Sequence, residues 1–283
     1  MSGLIARITP GPLKRVVHRL RVVVRARRRD LADWLARVNE EPVFILGNQK
    51  SGTSIIAALL AELGGRSVAI DLDREVTRPT FHRVRTGALN LDDFIRRNRL
   101  EFSRDVVKEA NLTTMYPALR GRFPRARFAF VQRDPRDNIR SILQRLGLPG
   151  RPAEAGEEQL AGISEAWRLV LDGRWLGLDG ADYLAMLAAR WQHFADLAAG
   201  AGEKMTVIRY EDFRADKVGG IRELARHLGI AEVADISAST ERQYQPRGDH
   251  SVGLREFFGE EGLRLIERIC ARGMATFGYE AKT

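Results

Sequence analysis

The chain has 283 residues, 44% hydrophobic and 29% charged, which is enough for one large α/β domain with a core of its own. Its single cysteine, Cys270, excludes an internal disulfide framework and fits a reducing compartment. The net charge of +9 is concentrated at the start: residues 1–29 hold nine Lys and Arg and no Asp or Glu, and the other 37 basic residues equal the 37 acidic ones, so nucleic-acid binding by the whole domain is not indicated.

In the basic segment Pro12 suits a helix start. Leu13, Val16, Val17, Leu20 and Val24 then form an apolar stripe with cations on the other face. Such a helix either lies on an anionic membrane surface or docks on the domain. A second short helix is predicted from a cap at Asp30 through Val38. The expected division is an arm over residues 1–40 and a globular domain over 41–283. No run reaches the ~18 apolar residues of a membrane span, and the first 30 residues lack the apolar centre of a secretory leader. A cytoplasmic protein is expected, with the arm as a route to the inner face of the membrane.

Val43 to Leu46 are four apolar residues ended by Gly47, the pattern of a strand buried on both faces. From Ser54 the pattern is helical, with Ile55, Ile56, Leu59, Leu60 and Leu63 on one side. Between them lies Gly47-Asn48-Gln49-Lys50-Ser51-Gly52-Thr53-Ser54. A glycine-bearing loop that opens onto a helix N-terminus gathers unpaired N–H groups at the positive end of the helix dipole, which makes an anion site. Gly47 and Gly52 keep the spacing of a Walker A loop, but Thr53 stands in the lysine position and Lys50 is the loop's only lysine. The cation therefore sits on the opposite flank of the bound anion. That placement favours a nucleotide phosphate and disfavours metal-assisted NTP hydrolysis. An ordinary strand–turn–helix corner would not need Lys, Ser, Thr and Ser together.

Ser67 to Ile70 reads as a short strand, and residues 71–99 as a polar, arginine-rich, substrate-side region. Asp105 to Lys108 is another short strand. Arg127 to Gln132 is a clearer one, running into Arg133-Asp134-Pro135-Arg136-Asp137-Asn138-Ile139-Arg140-Ser141. Asp134 suits an N-cap, Pro135 the first helical position and Asp137 the capping-box position. Residues 147–182 look like an insertion or lid. Tyr183 to Ala199, Ile221 to Leu228 and Gly262 to Phe277 are predicted helices, and Met205 to Ile208 a strand. This alternation predicts a three-layer α/β sandwich around a mostly parallel sheet. Trp191 reads as core. His193, His227 and His250 have no metal-ligand spacing and read as structural.

Two strand-end loops, at Lys50–Ser54 and Arg133–Ser141, suit one ligand with two separated anionic groups. Arginine's planar fork and a serine hydroxyl are a good pair for a phosphate. Together the two stretches resemble the signature motifs of the sulfotransferases that use 3′-phosphoadenosine 5′-phosphosulfate (PAPS). The resemblance covers about residues 41–280 and implies that Lys50, Ser51, Gly52, Thr53 and Ser54 bind the 5′-phosphosulfate. It implies that Arg133 and Ser141, with the family's spacing, bind the 3′-phosphate. Arg209-Tyr210-Glu211-Asp212-Phe213 is similar to a family segment whose tyrosine lies near the 3′-phosphate and adenine. Arg247-Gly248 is similar to the loop that closes over the 3′-phosphate. Further implications are that Lys50 neutralises the leaving phosphate, that PAPS is the donor, and that no metal takes part. The acceptor would be a carbohydrate, a lipid or a small alcohol. Lys108 matches a family lysine, and Glu109, one residue off a common pattern, is the nearest carboxylate for a general base; Asp71, Asp73 and His82 are rivals. A P-loop kinase or NTPase is the alternative from another class, opposed by Thr53 and by the lack of a Walker B acid after Phe128–Val131. A nucleotide-binding scaffold without turnover would be favoured if no candidate base lined the pocket.

Overall fold

A strand covered on both faces must be apolar throughout, and Val43–Gly47 (β1) is: all five residues are buried. The computed structural model describes residues 32–242, 249 and 251–281; residues 1–29, Asp30, Arg247, Gly248 and His250 lie outside the described residues. β1 is the middle strand of five, with Val68–Ile70 (β2), Val106–Lys108 (β3), Arg127–Gln132 (β4) and Thr206–Arg209 (β5). The order is β2-β3-β1-β4-β5 and every pairing is parallel. The chain leaves β1 towards β2 and β3 on one side, then crosses to β4 on the other. Such a reversal of strand order opens a crevice at the carboxyl ends of the strands.

Alternation along the strands sorts side chains into two layers. Phe44 and Leu46 of β1 join Phe128 and Phe130 of β4 in one cluster, where the Phe44 ring lies 5.3 Å from Phe128 and 5.5 Å from Phe123. Val43 and Ile45 join Ala129 and Val131 in the cluster on the other face. Five helices exceed ten residues among the described residues: Thr53–Leu63 (α1), Pro135–Leu146 (α2), Tyr183–Ala201 (α3), Lys217–His227 (α4) and Leu254–Thr276 (α5). α1 and α4 cover the second face. α2, α3 and α5 share a third cluster that contains Ile142, Leu187, Trp191 and Ile266. The fold is the expected α/β sandwich, and its sheet is parallel throughout.

Three local expectations are corrected. The helix predicted through Val38 is helical only over residues 32–35. The Asn39 N–H donates to Phe102 O at 2.9 Å and its Nδ2 to Arg104 O at 3.3 Å, which draws the chain out of helical geometry. Residues 71–99 carry three short helices, Asp73–Thr77, Phe81–Arg85 and Leu91–Arg97. None is long enough to print a periodicity. The last helix begins at Leu254, well before Gly262, and is broken at Gly259, whose φ of 72° only glycine adopts freely. No described helix is long and apolar enough to cross a membrane.

Candidate active site

The loop after β1 is shaped by two unusual backbone positions. Lys50 has φ 63°, a left-handed conformation that costs a residue other than glycine roughly 1–3 kcal/mol. Gly52 has φ 90°, and a Cβ there would lie 2.4 Å from the Tyr210 ring, so only glycine lets the ring close on the loop. Gly52 is also the N-cap of α1 and carries no capping side chain. The first-turn N–H groups of α1 therefore have no acceptor from their own helix or cap. Several loop carbonyls are held by side chains from other elements. Asn138 Nδ2 donates to Gln49 O at 2.7 Å, Arg133 Nη1 to Lys50 O at 2.6 Å, and the Thr113 hydroxyl to Gly47 O at 3.1 Å.

The second loop follows β4. Asp134 caps α2 by accepting the Arg136 N–H at 2.9 Å, as its place before Pro135 predicts. Arg136 is buried, and its guanidinium bridges Asp134 at 2.6 Å and Glu267 of α5 at 2.6 Å. Arg133 is buried too, with its guanidinium 4.8 Å from the centre of the Tyr210 ring. Burial pushes the pKa of that guanidinium down. Trp191 Nε1 donates to Arg133 O at 2.8 Å, and Glu211 accepts the Asp134 N–H at 3.0 Å.

Both loops open on one cleft of about 1100 Å³. Lys50, Gly52, Thr53 and Ser54 line it from the first loop, and Arg133, Ser141 and Tyr210 from the second side. Ser51 is turned away; it is buried and its hydroxyl accepts from Asn138 Nδ2 at 3.0 Å. Desolvation lowers the Lys50 pKa to about 8, helped by the charges of Arg145, Arg133 and Lys108. Arg145 lines the cleft one helical turn beyond Ser141.

No protein-family model and no curated protein matches the sequence. Solved structures do. The mouse sulfotransferase SULT7A1, crystallised with PAP, superposes with a TM-score of 0.51 at 14% identity, over 86% of this chain and 86% of that one. The sulfotransferase STF9 from Mycobacterium avium gives 0.50 at 16% identity, over 92% of this chain and 82% of that one. The chain has the sulfotransferase fold.

At the β2–β3 end of this sulfotransferase fold, Lys108 is buried and ion-paired with Asp71, itself at a left-handed φ of 64°. Glu109 lines the cleft beside them. It accepts the N–H groups of Asn111 at 2.9 Å and Leu72 at 3.3 Å. Burial pushes its pKa up, and the neighbouring Asp71 adds to this. Val76, Trp167 and Val170 supply an apolar wall, so part of the predicted lid faces the cleft. Asp73, His82, His193 and His227 do not line it. His82 packs on Phe81 and Trp175, and Trp191 is core as expected.

Sequence reasoning missed four contributors: Asn138, Glu211, Arg145 and Arg190. Arg190 alone left a usable signal. It is a cation on the face of α3 that otherwise carries Leu187, Trp191 and Phe194, and unpaired cations are rare inside.

Proposed function

We propose that the protein transfers a sulfuryl group from PAPS to a hydroxyl or amine of an acceptor. The observation that carries this reading is the opening of Lys50, the uncapped start of α1, Arg133 and Ser141 onto one cleft. A ligand with two separated anionic groups fits that layout. In this reading the first-turn N–H groups of α1, with Thr53 and Ser54, hold the 5′-phosphosulfate. Arg133 and Ser141 hold the 3′-phosphate, and Tyr210 walls the nucleotide side. Arg247 and Gly248 are assigned to cover the 3′-phosphate on the sequence resemblance alone.

Glu109 takes the acceptor's proton while the acceptor's lone pair forms the new bond to sulfur. The bond from sulfur to the bridging oxygen breaks, and its electron pair leaves on the 5′-phosphate of 3′-phosphoadenosine 5′-phosphate (PAP). Burial makes Glu109 more basic than an ordinary carboxylate, which suits this task. The Lys108–Asp71 pair stands beside it. Lys50 neutralises the charge that gathers on the leaving phosphate. A sulfuryl group carries less negative charge than a phosphoryl group, so positioning and a few fixed donors suffice. Carbohydrate, lipid and small-alcohol acceptors are distinguished by mass spectrometry of extracts incubated with labelled PAPS.

The reading is tested by calorimetric titration with PAP in the presence of EDTA. Binding without added metal is expected. ATP binding that requires Mg²⁺, with no binding of PAP, would overturn the sulfotransferase reading.

A further inference from the structure

Arg190 lies in the middle of α3 and is fully buried. Its guanidinium sits 4.6 Å from the centre of the Phe194 ring. Its remaining partners are side-chain amide oxygens only. Nε reaches Asn48 Oδ1 at 3.4 Å, and Nη2 reaches Gln49 Oε1 at 3.3 Å and Asn111 Oδ1 at 3.2 Å. Nη1 has no hydrogen-bond partner. No carboxylate forms an ion pair with Arg190 among the described residues. The opposite charge of Glu109 acts on it through space without forming an ion pair. A buried cation without a counter-ion is costly, and a methionine or leucine would fill the same space without that cost.

Arg190 stands behind the loop whose front carries Lys50. Asn48 and Gln49 are the two residues before Lys50, and Asn111 stands two residues after Glu109. The same amides continue across the loop. Gln49 Nε2 donates to Asn111 Oδ1 at 2.7 Å, Asn48 Nδ2 donates to Asn138 Oδ1 at 2.9 Å, and Asn138 in turn holds Gln49 O and Ser51 Oγ. The guanidinium thus terminates a chain of amides that sets the path of the loop's backbone. It also places a positive charge behind the anion site, buried where that charge is weakly screened.

We infer that Arg190 is the positioning residue of the anion loop, and that its missing counter-ion is the 5′-phosphate group of the ligand bound on the loop's other side. Its fork holds Asn48 and Gln49 so that the loop's N–H groups aim into the cleft. Its charge adds to that of Lys50 without touching the ligand. The inference rests on the sulfotransferase reading, because it needs the 5′-phosphate at the first loop and the 3′-phosphate at Arg133.

The test compares wild type with Arg190→Met and Arg190→Lys. Calorimetry, by competition where binding is weak, measures PAP, adenosine 5′-phosphate and adenosine 3′-phosphate, and melts are run with and without PAP. Arg190→Met is expected to weaken PAP and adenosine 5′-phosphate at least tenfold, adenosine 3′-phosphate less than twofold, and to shrink the PAP-induced rise in melting temperature. Arg190→Lys keeps the charge without the fork, and is expected to fall between wild type and Arg190→Met for the 5′-phosphate ligands. It carries the comparison by itself if the methionine variant does not fold. Equal losses for the 5′- and 3′-phosphate ligands, or unchanged affinities with only a lowered melting temperature, would show a merely structural arginine. Wild-type protein that binds no PAP fails the sulfotransferase reading itself, before any variant is compared.

Discussion

Lys50 is a cation held half-buried among other cations, with a pKa lowered to about 8. In the unfolded chain its pKa returns to the ordinary value near 10.4. Between these values the unfolded state binds more protons than the folded one, so stability rises with pH across that window. Lys50→Met should remove this rise, and it should make the ligand-free protein more stable at pH 7. An anionic ligand favours protonated Lys50, so PAP affinity should be flat from about pH 7, where the ligand's phosphates are ionised, to pH 8 and decline above it, by at most about tenfold per unit. Affinity that stays level to pH 10 in a calorimetric series would sink this role. Arg133 is the other decisive cation, fixed by its contact with Lys50 O and by Trp191 on its own carbonyl. Arg133→Ala should cost about 1.5–3 kcal/mol of PAP binding, the scale of a hydrogen bond to a charged group. Adenosine 5′-phosphosulfate, which has no 3′-phosphate, should lose far less. Equal losses would mean that Arg133 does not read the 3′-phosphate.

Two strand–turn–helix units meet at the carboxyl ends of β1 and β4, and each solves its helix start differently. α2 has a conventional cap in Asp134, whose carboxylate accepts both the backbone N–H and the guanidinium of Arg136. α1 has Gly52, which leaves its first N–H groups to the cleft. The Tyr210 ring rests where a Cβ on residue 52 would be. Gly52→Ala should therefore displace Tyr210 and reduce PAP affinity tenfold or more. Left-handed strain should lower stability by only roughly 1–2 kcal/mol. Denaturant melts and calorimetry on the same variant separate the two effects. Unchanged affinity would show that the ring does not wall the ligand.

At the scale of the chain, a strongly basic stretch over residues 1–29 precedes a sequence whose charges balance. Residues next to the segment are tied down: Asp33 pairs with Arg74 at 2.8 Å and accepts the Leu100 N–H at 2.9 Å. Just beyond, Trp34 and Leu35 are 72% and 63% exposed. An exposed aromatic and an exposed aliphatic residue that follow nine cations in the sequence motivate a test for binding at an anionic interface. Each cation near an anionic surface adds about 1 kcal/mol at most, and less as salt rises. Full-length protein is expected to sediment with acidic vesicles at low salt. A chain lacking residues 1–29 is expected not to, while melting at the same temperature. If full-length protein ignores the vesicles and the truncation melts several degrees lower, the segment belongs to the fold.

The sequence by itself determined the parts that are contiguous along the chain. β1 and β4, the glycine-bearing loop, the Asp134–Pro135 helix start and the Arg133–Ser141 spacing each lie within one strand–turn–helix unit. Periodicity and capping are local properties, so short windows express them. Only the tertiary structure decided which polar groups hold these units together. Trp191 reaches Arg133 across 58 residues, Glu211 reaches Asp134 across 77, and Arg190 reaches Asn48 across 142. Ser51, which shares the loop's pattern, was turned inward by Asn138 from 87 residues away. Such contacts follow from the need to satisfy buried polar groups in three dimensions, and that need leaves little trace in the chain beyond a cation on an apolar helix face such as Arg190.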